Sequence, residues 1–289
     1  MGSKIIFYTI LKPISYLPFR VLYLLSDFIF ILVYQLVGYR KKVVLENMRN
    51  SFPEKSEEEV AQLAKKFYRH FCDLVVESVK GFSITRKQLI KRMVFENTEV
   101  VQKLFDDGRD IIVAGGHYNN WELCGFAVPV SIPHTCIGIY APLSDRFFDK
   151  VMKKSREKYG LVLCPMKKTK AYFEADFGQP KATFFIADQS PARSKNVHWM
   201  DFLNQDTPVF TGAERYAKMY NQPLLFLGVT KLKRGYYTAR FELLFDKPNE
   251  TQEHEITEKI NRKIEQQILT SEEFWLWTHR RWKRKRETS

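Results

Sequence analysis

The sequence lacks the short motifs by which several large enzyme classes are recognised. It contains no G-x-S-x-G nucleophile elbow, no G-x-x-x-x-G-K-[ST] phosphate loop and no G-x-G-x-x-G dinucleotide fingerprint. Its six histidines lack the spacing of metal ligands, so neither a metal ion nor a cofactor is expected. These absences argue against serine hydrolases, P-loop enzymes and dinucleotide-dependent oxidoreductases.

Cysteines and acidic residues are few for a chain of 289 residues. Asp and Glu number 33 against 46 Lys and Arg, which gives a formal net charge of +13. This excess favours anionic partners: nucleic acid, a phospholipid surface, or acidic and phosphorylated substrates. Without any C-x-x-C pair, the cysteines are expected to be buried thiols in a reducing compartment. They are Cys72, Cys124, Cys136 and Cys164.

One long hydrophobic run lies near the N-terminus, where residues 21–39 read VLYLLSDFIFILVYQLVGY. As a helix it would span about 28 Å, close to the ~30 Å hydrocarbon core of a bilayer. Asp27 would cost roughly 3 kcal/mol in a spanning helix, so the segment either spans marginally or lies in the interface. A buried helix of a soluble domain is the other interpretation. No A-x-A-like cleavage site occurs, and residues 1–45 are predicted to form a membrane anchor.

After this segment the hydrophobic pattern predicts helices first and then strands that alternate with helices. Ser56 and Glu59 form a capping box before a helix that runs to about Gly81, and a short helix is expected at 100–105. The predicted strands are 110–114, 135–140, 161–164, 182–187, 224–229 and 237–245. The later predicted helices are 121–128, 146–159, 171–177, 212–220 and 252–269. This alternation indicates one α/β domain with a largely parallel sheet, assigned to residues 46–289.

The stretch DIIVAGGHYNNWE places His117 and Glu122 where a buried strand enters a helix. Chemistry gathers at such carboxyl ends of strands in open α/β sheets. Asn119 is the predicted cap of the helix, with Glu122 in the first turn. In the functional interpretation His117 is a general base and Glu122 orients its ring. The spacing alone equally allows a helix-capping glutamate and an ordinary loop histidine.

These residues resemble the H-x-x-x-x-[DE] block of glycerolipid acyltransferases. With glutamate at the second position, GGHYNNWE is most similar to the late lipid A (lauroyl/myristoyl) acyltransferase family. Other stretches match that family in order along nearly the whole chain. They are RKKVVLENMRNSFPEKSEEE, SREKYGLVL, FFIADQ, TPVFTGAERYA and EEFWLWTHRRWKRK.

The resemblance implies a membrane-anchored acyltransferase with one αβα domain, in which His117 is the general base and Glu122 orients it. The donor would be a fatty acyl thioester on acyl carrier protein. The acceptor would be a hydroxyl of an acylated, phosphorylated glucosamine disaccharide, a lipid A precursor. The enzyme would lie on the inner membrane with its catalytic domain facing the cytoplasm. The residues expected to contact substrate are Asn120, Arg156, Asp188, Gln189, Thr211 and Gly212.

Other interpretations stay open beside this one. The run SPARSKNVHWMDFLNQD after Gln189 departs from the family's commoner glycine-rich version, so the acceptor could be a lysophospholipid or an aminolipid. A non-catalytic membrane-binding protein could retain the fold. The C-terminal basic run, beside Trp275, Trp277 and Trp282, suits a solvated tail or an anionic lipid interface. No nucleic-acid-binding module is recognised, so nucleic acid is not expected as a partner.

Overall fold

The N-terminal region is a chain of helices that packs on the rest of the protein. The structure, a computed structural model, describes residues 2–191 and 197–286. The first five helices are α1 (Gly2–Ile6), α2 (Lys12–Tyr16), α3 (Phe19–Phe30), α4 (Lys41–Ser51) and α5 (Glu57–Gly81). Two π-helical segments, Phe7–Leu11 and Ile31–Val37, connect α1 to α2 and extend α3.

The predicted apolar helix is present, two residues earlier than expected. It begins after Pro18 and ends at Gly38, whose φ of 63° no longer fits a right-handed helix. Within the described residues, Phe19–Val37 alone is long and apolar enough, by length and composition, to cross a membrane. Such a helix near an N-terminus is weak evidence of membrane association by itself.

Helix α5 confirms the predicted capping box and the predicted end at Gly81. Ser56 accepts a hydrogen bond from the Glu59 backbone, and the Glu59 carboxylate accepts one in return at 2.8 Å. Its buried face packs against α3 and α4, so residues on both sides of position 45 share one core. The predicted division into a membrane anchor, residues 1–45, and an acyltransferase domain, residues 46–289, stays a prediction.

A seven-stranded sheet forms the centre of the protein. Its strands are β1 (Met93–Glu96), β2 (Ile111–Gly115), β3 (Thr135–Tyr140), β4 (Val162–Pro165), β5 (Lys181–Ile186), β8 (Leu224–Lys233) and β9 (Tyr236–Phe245). Their order is β1-β9-β8-β2-β5-β3-β4, and every neighbouring pair except β8–β9 is parallel. The prediction of a largely parallel sheet is confirmed.

Helices cover both faces of the sheet. They are α6 (Arg86–Arg92), α7 (Thr98–Asp106), α8 (Trp121–Ala127), α9 (Arg146–Arg156), α10 (Thr169–Glu174), α11 (Gly212–Tyr220) and α12 (Glu255–Thr270). Alternate residues of β2 belong to different cores. Ile112 and Ala114 pack with α5, α11 and α12, whereas Ile111 and Val113 pack with α7 and α8. The architecture is therefore αβα.

A separate hairpin follows the central strands in the chain. It consists of β6 (Val197–Phe202) and β7 (Gln205–Phe210), which pair antiparallel and were not predicted. Leu203 and Asn204 both have positive φ, as a tight hairpin turn requires. Part of the divergent run after Gln189, residues 192–196, lies outside the described residues.

Candidate active site

The register of two neighbouring strands brings His117 and Asp188 together. Gly115 of β2 is paired with Ile186 of β5, and the Ala187 amide donates to the Gly115 carbonyl at 2.9 Å. Each polar residue lies two positions beyond its paired strand residue. Because both strands run in the same direction, the two side chains emerge at the same edge of the sheet.

Asp188 is held by three hydrogen bonds. The His117 backbone N–H donates to Oδ2 at 2.6 Å, His117 Nδ1 donates to Oδ1 at 2.7 Å, and Trp275 Nε1 donates to Oδ2 at 2.7 Å. Burial alone would raise the pKa of Asp188, but the charge of His117 and these hydrogen bonds hold it below its ordinary value. The side chain is therefore a buried carboxylate that favours a proton on Nδ1 of His117.

The other nitrogen of His117 is available for chemistry. With Nδ1 donating to Asp188, Nε2 carries the lone pair of the neutral ring. The Gln189 side-chain amide nitrogen lies 3.2 Å from Nε2 and can only donate to it. The Trp121 ring packs edge-on against the imidazole at 5.1 Å between centroids. These contacts fix the ring and leave a basic nitrogen at the strand edge.

The expected contact between Glu122 and His117 is not present among the described residues. The carboxylate of Glu122 instead pairs with Arg156 at the end of α9, where Arg156 Nε donates to Oε2 at 3.1 Å and Nη2 donates to Oε1. The chain reverses direction at Asn119, whose φ is 52°, before α8 begins. Glu122, in the first turn of α8, therefore points to α9, while His117 points to the end of β5.

The cap of α8 is also displaced by one residue from its prediction. Asn120, not Asn119, caps the helix and accepts from the Leu123 amide at 2.8 Å. The amide nitrogen of Asn120 donates to buried Glu77. Asn120 is 1% exposed and both ends of its amide are used, so its side chain supports the His117 loop and does not face substrate. The expected substrate contact of Asn120 is thus not supported by its placement.

A C-terminal segment completes the site, and the sequence did not reveal its role. The Asn119 amide donates to the Phe274 carbonyl at 2.9 Å, and Tyr118 forms a bridge with Trp275. Trp275 and Trp277 are 2% and 0% exposed. The tryptophans that were candidates for a lipid interface are therefore core residues, because their indole N–H groups bond inside the protein.

Two more residues of this segment lie near Asp188. His279 accepts from the Ser190 amide at 3.1 Å, and burial lowers its pKa to about 4. Arg281 is fully buried, and its guanidinium has no hydrogen-bond partner among the described residues. Burial lowers the pKa of Arg281 to about 10, and the charge of Asp188 acts in the opposite direction. Positive charge therefore lies behind the carboxylate.

Thr211 and Gly212 lie at the start of α11 as expected, and neither contacts the His117 ring among the described residues. Thr211 is at the cap position without a side-chain capping bond, and Gly212 lies against Phe185 of β5. The structure thus places His117, Asp188 and Gln189 together, with Glu122 and Arg156 as a neighbouring pair. Gly212 lies near Phe185 of β5, the strand that ends before Asp188.

Comparison with known proteins identifies the family. Residues 3–284 match the model of the bacterial lipid A biosynthesis acyltransferases. The chain belongs to this family. It is an acyltransferase of lipid A biosynthesis.

Individual relatives agree with the family assignment at low identity. The chain is 21% identical over 270 residues to a lipid A biosynthesis palmitoleoyltransferase of Escherichia coli, covering 92% of this chain and 86% of the relative. A lipid A biosynthesis acyltransferase of Shigella flexneri matches to the same extent. A lipid A biosynthesis acyltransferase of Haemophilus influenzae is 22% identical over 250 residues, which cover 86% of this chain and 79% of the relative.

In this lipid A acyltransferase an apolar groove is connected to the His117 site through one shared side chain, Trp121. Its volume is about 300 Å³, and Trp121, which packs on His117, is one of its walls. Leu11 of the N-terminal region and apolar side chains of α5, the residue after α5, α9 and the C-terminal segment also line the groove. They include Leu74, Val75, Phe82, Met152 and Leu276. A groove of this kind accommodates a hydrocarbon chain, which needs apolar contacts and few polar ones.

Proposed function

We propose that the protein transfers a fatty acyl chain from a thioester on acyl carrier protein to a hydroxyl of an acylated, phosphorylated glucosamine disaccharide. His117 is the general base, and Asp188 orients it. The observation that carries this proposal is the His117–Asp188 pair, at 2.7 Å, with the apolar groove that Trp121 connects to it. Acyl transfer from a thioester to a hydroxyl requires a general base for the hydroxyl proton, and an apolar groove near that base suits the acyl chain.

In the proposed reaction His117 carries one proton from the acceptor hydroxyl to the leaving thiolate. Nε2 takes the proton of the acceptor hydroxyl as its oxygen bonds to the thioester carbonyl carbon. Asp188 stabilises the imidazolium that forms, because its buried charge lies against Nδ1–H. When the tetrahedral intermediate collapses, the carbon–sulfur bond breaks and the leaving thiolate takes the proton from Nε2. The products are an ester and a free thiol.

Arg156 is suited to the phosphorylated acceptor. Its side chain remains 28% exposed while Glu122 fixes its direction. A guanidinium held by one carboxylate can still present donors to a phosphate oxygen. Glu122 is then a positioning residue for Arg156. The net charge of +13 is consistent with acidic carrier protein, lipid phosphates and anionic membrane as partners.

The proposed location is the inner membrane, with the catalytic domain on the cytoplasmic side. The apolar helix Phe19–Val37 supports this location by its composition. Six cationic residues and one acidic residue between positions 2 and 42 add attraction to anionic lipid.

Mass spectrometry of the lipid A fraction tests the proposal. Cells carry the wild-type chain, His117→Ala or His198→Ala, expressed to equal levels. His198 is the control because it is a surface histidine that pairs with Glu258 at 2.8 Å. We expect the His117 variant to lose one acyl chain from lipid A, with the mass difference naming the chain, and the His198 variant to keep it.

The other outcomes assign the failure to a particular part of the proposal. Unchanged lipid A with altered phospholipids or aminolipids would move the acceptor to another lipid class. Near-normal lipid A in His117→Ala cells would contradict the general-base role.

A further inference from the structure

Residues that precede the apolar helix contact the catalytic domain. The Ser3 hydroxyl donates to Asp145, the residue that caps α9. Phe7 packs edge-on against Phe82, at 5.1 Å between ring centroids, and against Phe147 at 5.8 Å. The start of the N-terminal region is thus held against α9 and the end of α5.

Residues that follow the same helix contact the domain as well. The Tyr68 hydroxyl of α5 donates to the Tyr39 carbonyl at 2.6 Å. Arg40 donates to the Thr278 carbonyl at 3.0 Å. Both ends of the 19-residue helix therefore lie on one folded domain. A spanning helix of about 28 Å would place these ends on opposite sides of a ~30 Å hydrocarbon core.

The middle of the helix is bound to the domain through charged groups. Arg234, in the β8–β9 turn, donates to Asp27 at 2.6 Å and to buried Asp73 of α5 at 2.6 Å. Ser26 donates to the same Asp73 at 2.8 Å. Asp27 is neutralised at the domain surface by these contacts, so its charge has no need to enter hydrocarbon.

The face of α3 opposite the domain is apolar and exposed. Its residues are spaced three, four and three apart, which places them on one side of a helix. They are Val21, Leu24, Phe28 and Ile31, with exposed fractions of 42%, 70%, 57% and 45%. Six more apolar residues of the N-terminal segment are exposed as well. They are Ile5, Ile6, Tyr8, Ile10, Leu36 and Val37.

Cationic residues flank the apolar helix in the sequence. Lys4, Lys12, Arg20, Arg40 and Lys42 are all exposed, and Asp27 is the one acidic residue in the same stretch of sequence. Apolar and aromatic side chains bordered by Lys and Arg fit the acyl region of a leaflet below its anionic headgroups.

We propose that residues 2–37 form an in-plane anchor, which lies in one leaflet of an anionic bilayer and leaves both of its ends on the side of the catalytic domain. This inference rests on the membrane association proposed above. The hydrophobicity of the segment allows it either to span the bilayer or to lie in the interface, and this inference assigns it to the interface. Its apolar face is the lipid-binding surface, and its polar contacts with Asp73 and Arg234 keep it on the domain.

Cysteine labelling in sealed inner-membrane vesicles distinguishes the two modes. Lys4→Cys reports on the N-terminal end, and Lys259→Cys, at an exposed position of α12, reports on the catalytic domain. The four natural cysteines are buried and give a low background. With a membrane-impermeant maleimide, we expect both sites to be labelled in inverted vesicles and protected in right-side-out ones. Labelling of Lys4→Cys from the side opposite Lys259→Cys would overturn the in-plane anchor.

A second experiment measures the lipid surface itself. Flotation of purified protein with phosphatidylglycerol vesicles compares wild type with the Leu24→Glu/Phe28→Glu double variant and with Met219→Glu. Met219 is the control because its exposed fraction of 56% matches that of Phe28 on another part of the protein. We expect the double variant to bind the vesicles at least about tenfold more weakly than wild type, and Met219→Glu to bind as wild type does. Equal binding of all three would overturn the assignment of this face.

The proposals fail in distinguishable ways. A wild-type chain that is soluble, with the apolar face covered by a second copy, would remove both membrane association and the in-plane anchor. Unchanged lipid A in His117→Ala cells would remove the general base and leave the labelling result standing.

Discussion

Replacing Asp188 by asparagine should place the proton of His117 on the wrong nitrogen. Oδ2 of Asp188 accepts from the His117 backbone N–H and from Trp275 Nε1, and both groups can only donate. In Asp188→Asn the amide oxygen must take this position, so its NH₂ group faces Nδ1 of His117. Nδ1 then accepts a hydrogen bond and Nε2 carries the proton, which removes the lone pair that takes the hydroxyl proton.

The magnitude follows from two losses. A hydrogen bond to a charged group contributes about 1.5–3 kcal/mol. In the reactive tautomer, with the proton on Nδ1, the introduced NH₂ group faces an N–H group and loses its acceptor, which costs about 1–3 kcal/mol. Together they correspond to a decrease in kcat of roughly 10²- to 10⁴-fold, at 1.36 kcal/mol per factor of ten. KM should change little, because the Asp188 side chain is 1% exposed and lies behind the ring.

The assay is acyl transfer to a lipid acceptor in detergent micelles, with kcat and KM measured across pH. Glu122→Gln is the matched control, since it neutralises the carboxylate that contacts Arg156 instead of His117. We expect Glu122→Gln mainly to raise KM for the acceptor and to keep the pH profile of kcat. A kcat within about threefold of wild type for Asp188→Asn, or a moved profile for Glu122→Gln alone, would refute the reasoning.

Two further predictions concern the surroundings of this pair. A Cβ on Gly116 would come within 3.1 Å of Asp188 Oδ2, so Gly116→Ala should lower kcat about 10- to 100-fold. Gly125→Ala is the control, because a Cβ there meets nothing within 4 Å, and this variant should remain active. Equal activities of the Gly116→Ala and Gly125→Ala variants would contradict this account. Burial lowers the pKa of His279 from 6.5 to about 4, so the unfolded chain takes up the proton first as the pH falls. The free energy of unfolding therefore keeps the whole contribution of neutral His279 above about pH 6.5. It falls by about 1–2 kcal/mol as the pH is lowered toward 4, after allowance for the partial exposure of the ring. His279→Gln should flatten this slope in urea unfolding, and an unchanged slope would exclude His279 as its source.

The central strands could be predicted because each is a short apolar run between turns. The boundaries of β2, β3, β4 and β5 agree with the sequence within about one residue. The strand β1 was missed because it has four residues and pairs only with β9. The hairpin of β6 and β7 was missed because its turn, Leu203-Asn204, lacks the usual Asn-Gly or Asp-Gly signal.

The partner of His117 could not be found by local spacing. His117 and Glu122 are five residues apart and fit a familiar motif, whereas Asp188 is 71 residues away. To choose Asp188, one must know that β5 lies next to β2 and that Gly115 is in register with Ile186. Both stretches end a buried strand in a polar residue, which is a usable signal, but strand order is a property of the whole sheet.

Three distant parts of the chain therefore create one functional group. The loop after β2 supplies His117, the end of β5 supplies Asp188, and the C-terminal segment supplies Trp275. A buried carboxylate stays ionised only if its hydrogen bonds and neighbouring charges outweigh the cost of desolvation. Because these donors come from separate segments, the orientation of the His117 ring depends on the completed fold.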